Sequence, residues 1–420
     1  MTNEAPSALA PYRVLDLTGE IGQYDGRALA EMGADVIKIE PPAGDPVRRT
    51  GPFYKDEPGT ERSLLWFVLN ASKRGVTLDL EQPEGRDLFR KLVANADLVL
   101  ESEAPGRLRG LGIDYEDLRG GNEKLVWHSI TGFGQDGPYR DYKWSDLVGL
   151  ALGGLLNLFG EPGRPPVRAR SSQAYYHASL ASAFGAMVAL YHARRTGRGQ
   201  RVDASMQEIV TFTLAGPGGI TGFWPLMKMN ITRSGLGINL GFMVSKTLYA
   251  CKDGYVAVST LFGPHFPMLI DLMKKDNAAG FLEEEKWRTA TRFSPLPGQW
   301  QCNQDEANAC EAQFGQWLML HTKAAIMAMA HEHELMIFPV QTVPETFGSK
   351  QLAARNFFQR VEHKDLGGAI TYPGPPAVLS GTPWRMRDRA PMLGEHNDAV
   401  YGALGVTDAE LASLRERGVI

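Results

Sequence analysis

A chain of 420 residues, 43% hydrophobic and 22% charged, has the composition of a folded globular protein of two or three domains and excludes wholesale disorder. Forty-four basic residues against 48 acidic ones leave a net charge of −4, so there is no electrostatic footprint for nucleic acid. Three cysteines (Cys251, Cys302 and Cys310) are too few, and odd in number, for a secreted disulfide framework; they predict a reducing compartment.

The first residues lack a basic stretch followed by an apolar core, and no run approaches the ~18 apolar residues of a membrane span. A cytoplasmic protein without a membrane partner is therefore expected. Residues 12–18 read as a buried strand, 23–32 as a helix and 35–40 as a second strand. Helix 83–96 and strands 98–100 and 125–130 repeat the pattern, which predicts an α/β protein with a parallel sheet and crossover helices. Over 173–194, Ala174, His177, Leu180, Ala181, Phe184, Met187, Val188 and Tyr191 follow the spacing of a buried helix face, with Ser171 and Ser172 as cap candidates; 200–204 read as a strand.

Glycine is dense over 211–241, and 232–239 read as a loop. Residues 247–251 and 255–259, joined through Asp253-Gly254, predict a hairpin. Helices follow to about 330, and a Pro- and Gly-rich tail closes with a helix over 408–417.

Single motifs carry little chemistry. His331-Glu-His-Glu334 lacks the i, i+4 histidine pair of a zinc helix, and Cys302 and Cys310 form no Cys-X-X-Cys, so no metal is expected. Gly216, Gly218 and Gly219 are not followed by Lys-Ser/Thr, which disfavours a phosphate loop. Arg194, Arg195 and Arg198 fit the cation preference of a helix C-terminus.

Taken together, several segments say more. Val14-Leu-Asp-Leu-Thr18, Gly33-Ala-Asp-Val-Ile-Lys-Ile-Glu40, Gly44-Asp-Pro-Val-Arg48, Asn70-Ala-Ser-Lys-Arg-Gly75, Ser129-Ile-Thr-Gly-Phe-Gly-Gln-Asp-Gly-Pro138, Thr196-Gly-Arg-Gly-Gln200 and Ala390-Pro-Met-Leu-Gly-Glu-His396 occur in this order. The chain resembles the family III CoA-transferases, which include formyl-CoA and carnitine CoA-transferases and α-methylacyl-CoA racemases. The resemblance implies a Rossmann-like large domain with an inserted small α+β domain, and an interlocked, ring-like dimer whose active site combines the large domain of one chain with the small domain of the other. The implied boundaries are a large-domain part over 1–205, a linker over 206–224, the small domain over 225–325, and a linker and returning C-terminal segment over 326–420.

The family's reaction rests on one aspartate in the first turn of a helix. Its carboxylate attacks an acyl-CoA thioester to give a mixed anhydride, and the expelled CoA thiolate attacks that anhydride to leave an aspartyl-CoA thioester. Here the resemblance places Tyr175 at that position, and no acid occurs between Glu161 and Asp203. The catalytic set of this chain is therefore read as empty. Where the family has Glu-Asn-Phe, this chain has Glu101-Ser102-Glu103, an acid close to the expected CoA. Candidates for binding substrate or CoA are Arg48, Lys73, Arg74, Arg107, Arg109, Phe133, Tyr175, Tyr176 and His177, with Phe223 and Trp224 as further lining. No covalently bound cofactor is expected, CoA thioesters being substrates.

Some family members that activate aromatic succinates pair two homologous subunits. The resemblance thus implies a non-nucleophilic subunit beside an Asp-bearing homologue. The alternatives are a racemase- or lyase-type homodimer using His128 or His177 as base, and a catalytically silent regulatory homologue.

Overall fold

The computed structural model describes residues 6–214, 223–228, 230, 232–239, 244–259, 261–262, 264–291 and 300–420. Contacts divide the chain into two compact units: Met1–Gly154, Arg170–Thr213 and Lys350–Ile420 form the first, and Leu155–Ala169 with Leu214–Ser349 the second.

The first unit is built on six parallel strands: β1 (Arg13–Leu17), β2 (Asp35–Glu40), β3 (Arg74–Thr77), β4 (Leu98–Glu101), β5 (Val126–Thr131) and β6 (Arg201–Ser205), in the order β3-β2-β1-β4-β5-β6. This doubly wound order reverses direction between β1 and β4, and in open α/β sheets ligands bind at the carboxyl ends of the strands at such a point. The central strands are buried along their length. That is why they read as continuous apolar runs rather than alternating ones.

Helices cover both faces. On one, α1 (Glu20–Glu31) lies against a 24-residue helix introduced below, and Leu29, Ala30 and Val36 pack with Leu98, Leu100 and Val126. On the other, α3 (Pro83–Val93), which follows α2 (Leu64–Asn70), buries Leu88, Phe89 and Leu92 against Ile37, Val99 and Trp127. The C-terminal segment completes that second face with Tyr401, Leu411, Leu414 and Val419. It is tied to β3 by Tyr401 Oη donating to Thr77 O at 2.7 Å and by Asn397 Oδ1 accepting from Thr77 N at 2.9 Å.

α4 (Asp146–Leu152), capped by Ser145, precedes α5 (Gln173–Thr196). α5 buries a face of small side chains rather than the one its apolar spacing marks: Leu180, Phe184, Val188 and Tyr191 are exposed, whereas Ala178, Ala186, Ala189 and Ala193 are buried and let it approach α1 closely enough for Ser179 Oγ to donate to Ile21 O at 2.5 Å. Gly197, at φ 77°, ends the helix in the left-handed conformation. A Cβ on Gly199 would meet Leu125 O at 1.8 Å. The Thr196–Gln200 motif therefore serves a backbone turn, and Arg195 points back to Tyr191 Oη at 3.0 Å.

The second unit holds the expected hairpin, Leu248–Cys251 with Gly254–Val258, extended by Ile337–Pro339. Helices Phe266–Lys275, Gln304–Leu318 and Lys323–Glu332 close a core around Phe314, Trp317 and Trp287. Part of the segment read as a loop pairs instead: Gly237–Asn239 lies antiparallel to Val244–Lys246. In the first unit, the tail read as irregular contains the hairpin Phe358–His363 and Gly368–Pro373. Gly216, Gly218 and Gly219 lie outside the described residues. No helix among the described residues is long and apolar enough to cross a membrane.

Candidate active site

The carboxyl ends of β1, β2, β3 and β4 frame a cleft of about 380 Å³, lined by Gly19, Lys38, Glu40, Asp45, Asp79, Glu81, Ser102, Glu103 and Arg107 among others. A second cleft of about 330 Å³, over β4–β6, shares Glu103 with it and adds Glu101, Asp114, Gln135, Asp136, Arg140, Arg201 and Asp203. Local geometry explains the placement. β1 runs into Gly19 and at once into α1, so Glu20 opens a helix at the point where the sheet reverses, and its charge complements the helix dipole.

Beneath the first cleft lies a buried ion-pair network. Lys73 Nζ reaches Asp16 Oδ2 at 2.7 Å, Gln23 O at 2.6 Å and Asn70 Oδ1 at 2.8 Å. Burial brings its pKa down to about 8, although the Asp16 charge opposes that shift. Lys38 Nζ donates to Thr18 O at 2.5 Å and pairs with Asp45 at 3.3 Å. Burial disfavours its charge, but Asp45, Asp16 and Glu40 together outweigh that and raise its pKa.

The basic candidates from the sequence do not converge on one site. Arg48 is fully buried, forked onto Glu40 through two 2.7 Å contacts, bonded to Glu61 at 2.8 Å, and stacked 3.8 Å over Trp66. It braces the Gly44–Arg48 motif from inside. Replacing it with Ala is expected to leave Glu40 as an uncompensated buried charge and lower stability by roughly 3–5 kcal/mol in chemical denaturation. Arg74 forks onto Asp35 at 2.8 and 2.6 Å, and Arg109 pairs with Asp114 at 3.3 Å. Arg107 alone of these lines the first cleft, between Glu81 at 2.6 Å and Glu103 at 3.0 Å. Phe133 packs edge-on against Tyr139 and Tyr142.

Tyr175, Tyr176 and His177 form the first turn of α5, whose amino end meets α1 and α4. Two acids from distant segments flank this turn: Glu20, which the sequence offered only as a fallback nucleophile, and Asp146, which it did not offer at all. Asp146 Oδ1 accepts the Ala174 N–H at 2.8 Å, and Glu20 Oε1 accepts from Ser172 Oγ at 2.6 Å. Ser172 occupies the cap position but turns its hydroxyl to Glu20 rather than to its own helix. Burial first, then the charges of Glu20 and Asp146, raises the Tyr175 pKa, so its phenol is neutral and a hydrogen-bond donor at pH 7. Tyr176 meets the Tyr24 ring edge-on at 5.8 Å. A Ser or Thr immediately before a helical run signals a cap, but no spacing rule signals that its hydroxyl serves a carboxylate 152 residues away.

Among the other candidates, the His177 Nδ1 is enclosed with no hydrogen-bond partner among the described residues. His128, on β5, is 0% exposed, and burial lowers its pKa to about 3. Its Nδ1 stands 3.5 Å from Asp25 Oδ2, inside the packed layer between β5 and α1. Trp224, on a short helix in the second unit, is exposed; the side chain of Phe223 lies outside the described residues. Among the described residues no group of three or more His, Cys, Asp or Glu is placed to hold a metal ion.

Glu101, at the end of β4, is almost wholly buried beside the second cleft. Burial raises its pKa to about 7, against the hydrogen bond it accepts from Glu103 N at 2.7 Å. The folded state therefore binds this proton more tightly than the unfolded chain, and stability is expected to fall as pH rises from about 4.5 through 7. Glu101→Gln is expected to remove a pH-dependent loss on the order of 3 kcal/mol, seen as a flatter pH profile of urea midpoints between pH 5 and 8.

A doubly wound sheet with its cleft at the reversal point is an α/β fold whose ligands bind at the carboxyl ends of the strands. The family model for CoA-transferase family III matches residues 9–397. The BbsE subunit of succinyl-CoA:(R)-benzylsuccinate CoA-transferase from Thauera aromatica is 36% identical over 97% of both chains. A succinyl-CoA–D-citramalate CoA-transferase from Chloroflexus aurantiacus is 32% identical over 99% of this chain and 98% of its own. Among solved structures, a CaiB/BaiF family protein from Brucella suis superposes with a TM-score of 0.80 at 27% identity, covering 95% of this chain and all of the other. The chain belongs to the family III CoA-transferases, and its relatives include proteins named as subunits of CoA-transferases.

Proposed function

We propose that this chain is the non-nucleophilic subunit of a family III CoA-transferase that moves CoA from succinyl-CoA to a carboxylic acid of the aromatic succinate type, beside a homologous subunit bearing the aspartate. The observation that carries this reading is the first turn of α5. The reaction needs a carboxylate there, and Tyr175 supplies a neutral phenol with two acids already bonded around it. A phenol in place of the carboxylate cannot form the acyl anhydride from which the thioester exchange proceeds. The names of the relatives support the donor and the acceptor class: two of them use succinyl-CoA, and the more similar one acts on benzylsuccinate as one of its subunits.

A partner chain also accounts for an exposed apolar stripe. Leu180, Phe184, Val188 and Tyr191 follow one face of α5 and are 46–74% exposed. A contiguous row of large apolar side chains in water marks an interaction surface. On the racemase-type reading, His128 would have to reach an α-carbon, and its complete burial favours the transferase reading instead. Acyl-enzyme labelling of the two-subunit complex, set out in the Discussion, tests the assignment.

A further inference from the structure

We propose that Ser102 and Glu103 close the switch-point cleft of this chain to phosphate-bearing ligands, so that the CoA nucleotide does not seat here. The closure rests on the reading of this chain as the non-nucleophilic subunit, since a chain that forms the acyl-enzyme must itself hold the thioester.

Three groups in the cleft that could receive a phosphate are already engaged by the chain itself. Three kinds of donor matter at such a cleft: the amide at the mouth of the first helix, a lysine beneath it, and a cation at its rim. The Gly19 N–H, at the amino end of α1, donates to Ser102 Oγ at 2.7 Å. Lys38 Nζ is held by Thr18 O and Asp45. Arg107 stands between Glu81 at 2.6 Å and Glu103 at 3.0 Å.

The remaining field has the wrong sign. Glu40, Asp45, Asp79, Glu81 and Glu103 line the cleft, against Lys38 and Arg107. Glu40 is neutralised by Arg48 from behind, but Glu81 and Glu103 share a single guanidinium. A pyrophosphate arriving at this rim would have to displace two carboxylates from Arg107 and then lie beside them. Like charges brought together in this way are a device for rejecting a ligand. Ser102 and Glu103 are also the two positions where the Glu101-Ser102-Glu103 run departs from the Glu-Asn-Phe of the family, so both departures act on the same cleft. The adenosine part of the ligand carries no charge and is not selected against by this arrangement.

Isothermal titration of the full chain with CoA tests the closure. Wild-type protein is expected to show no saturable binding up to about 1 mM, and Glu81→Gln/Glu103→Gln, which frees Arg107, is expected to bind CoA at least about tenfold more tightly. Adenosine, titrated into the same two proteins, is expected to gain less than about twofold, because it brings no phosphate to the rim. Glu103→Gln alone, checked by circular dichroism and its melting midpoint, gives the same direction with a smaller perturbation. Saturable wild-type binding of CoA below about 1 mM, no gain in the double variant, or an equal gain for adenosine would each overturn the closure. CoA binding to the wild-type chain while the acyl label stays on the partner would overturn the closure alone; a label on this chain would overturn the subunit assignment.

Discussion

In the proposed two-subunit enzyme, incubation with succinyl-CoA followed by hydroxylamine or borohydride is expected to modify the partner chain alone. Replacing the partner's aspartate with Ala is expected to lower kcat by at least about 10⁴-fold, the scale on which loss of a covalent nucleophile acts. Tyr175→Phe in this chain is expected to cost no more than about tenfold, because the phenol, held neutral by burial and by the Glu20 and Asp146 charges, offers at most a hydrogen bond. Tyr175→Asp is expected to gain little: the new carboxylate would stand between Glu20 and Asp146, two acids that raise the pKa of any neighbour. A modified residue on this chain would reject the assignment, and peptide mapping would then decide whether Glu20 or Glu103 carries it. Glu20 is the nearer to α5, through its 2.6 Å contact with Ser172.

Phe184→Arg is expected to weaken association by roughly 30- to 1,000-fold, the range for removing a buried aromatic anchor from an interface. Phe184 is the most exposed member of the α5 stripe at 74%, and in the single chain it makes no use of its apolar surface. For the unaltered protein, sedimentation at micromolar concentration is expected to show no folded species at the 46.1 kDa of one chain. An interface larger than the ~1,600 Å² of an ordinary complex would leave no population of free subunits at that concentration. A stable folded monomer would refute this. If Phe184→Arg left association unchanged while the wild type remained dimeric, another surface would have to carry the contact.

Much of the first unit was legible residue by residue. The runs that became β1, β2, β4 and β5 are buried on both faces, so their hydrophobicity is continuous; the helical spacing over 173–194 announces α5, although Leu180, Phe184, Val188 and Tyr191 on the face it marks as buried are exposed. The short strand β3 was not, because Arg74–Thr77 is four residues long with a charged start, and it counts as a strand only by pairing with β2. The Phe358–His363 and Gly368–Pro373 hairpin escaped for a related reason: its residues are mostly half-exposed, and its turn at Lys364–Leu366 carries no Asn-Gly or Asp-Gly signature.

The site divides along the same line. That Tyr175 stands in the first turn of α5 is a property of one position, and the sequence by itself determined it; that the reaction would need an acid there belongs to the proposed reading. The sequence likewise determined the departure at Ser102 and Glu103, which lie in an otherwise recognisable motif. Which charges face one another is a different matter. Arg48, Lys73 and Arg74 look like ligands for phosphate when read as isolated cations. Only the packed structure puts Glu40, Asp16 and Asp35 against them, from strands and loops up to 57 residues away. Likewise, no local pattern brings Glu20 and Asp146 to the start of α5, or Glu81 and Glu103 to Arg107. Hydrophobic periodicity is a local signal because burial acts on each element's own face. Ion pairing is set by the distance between elements, and that distance exists only once the sheet order has been decided.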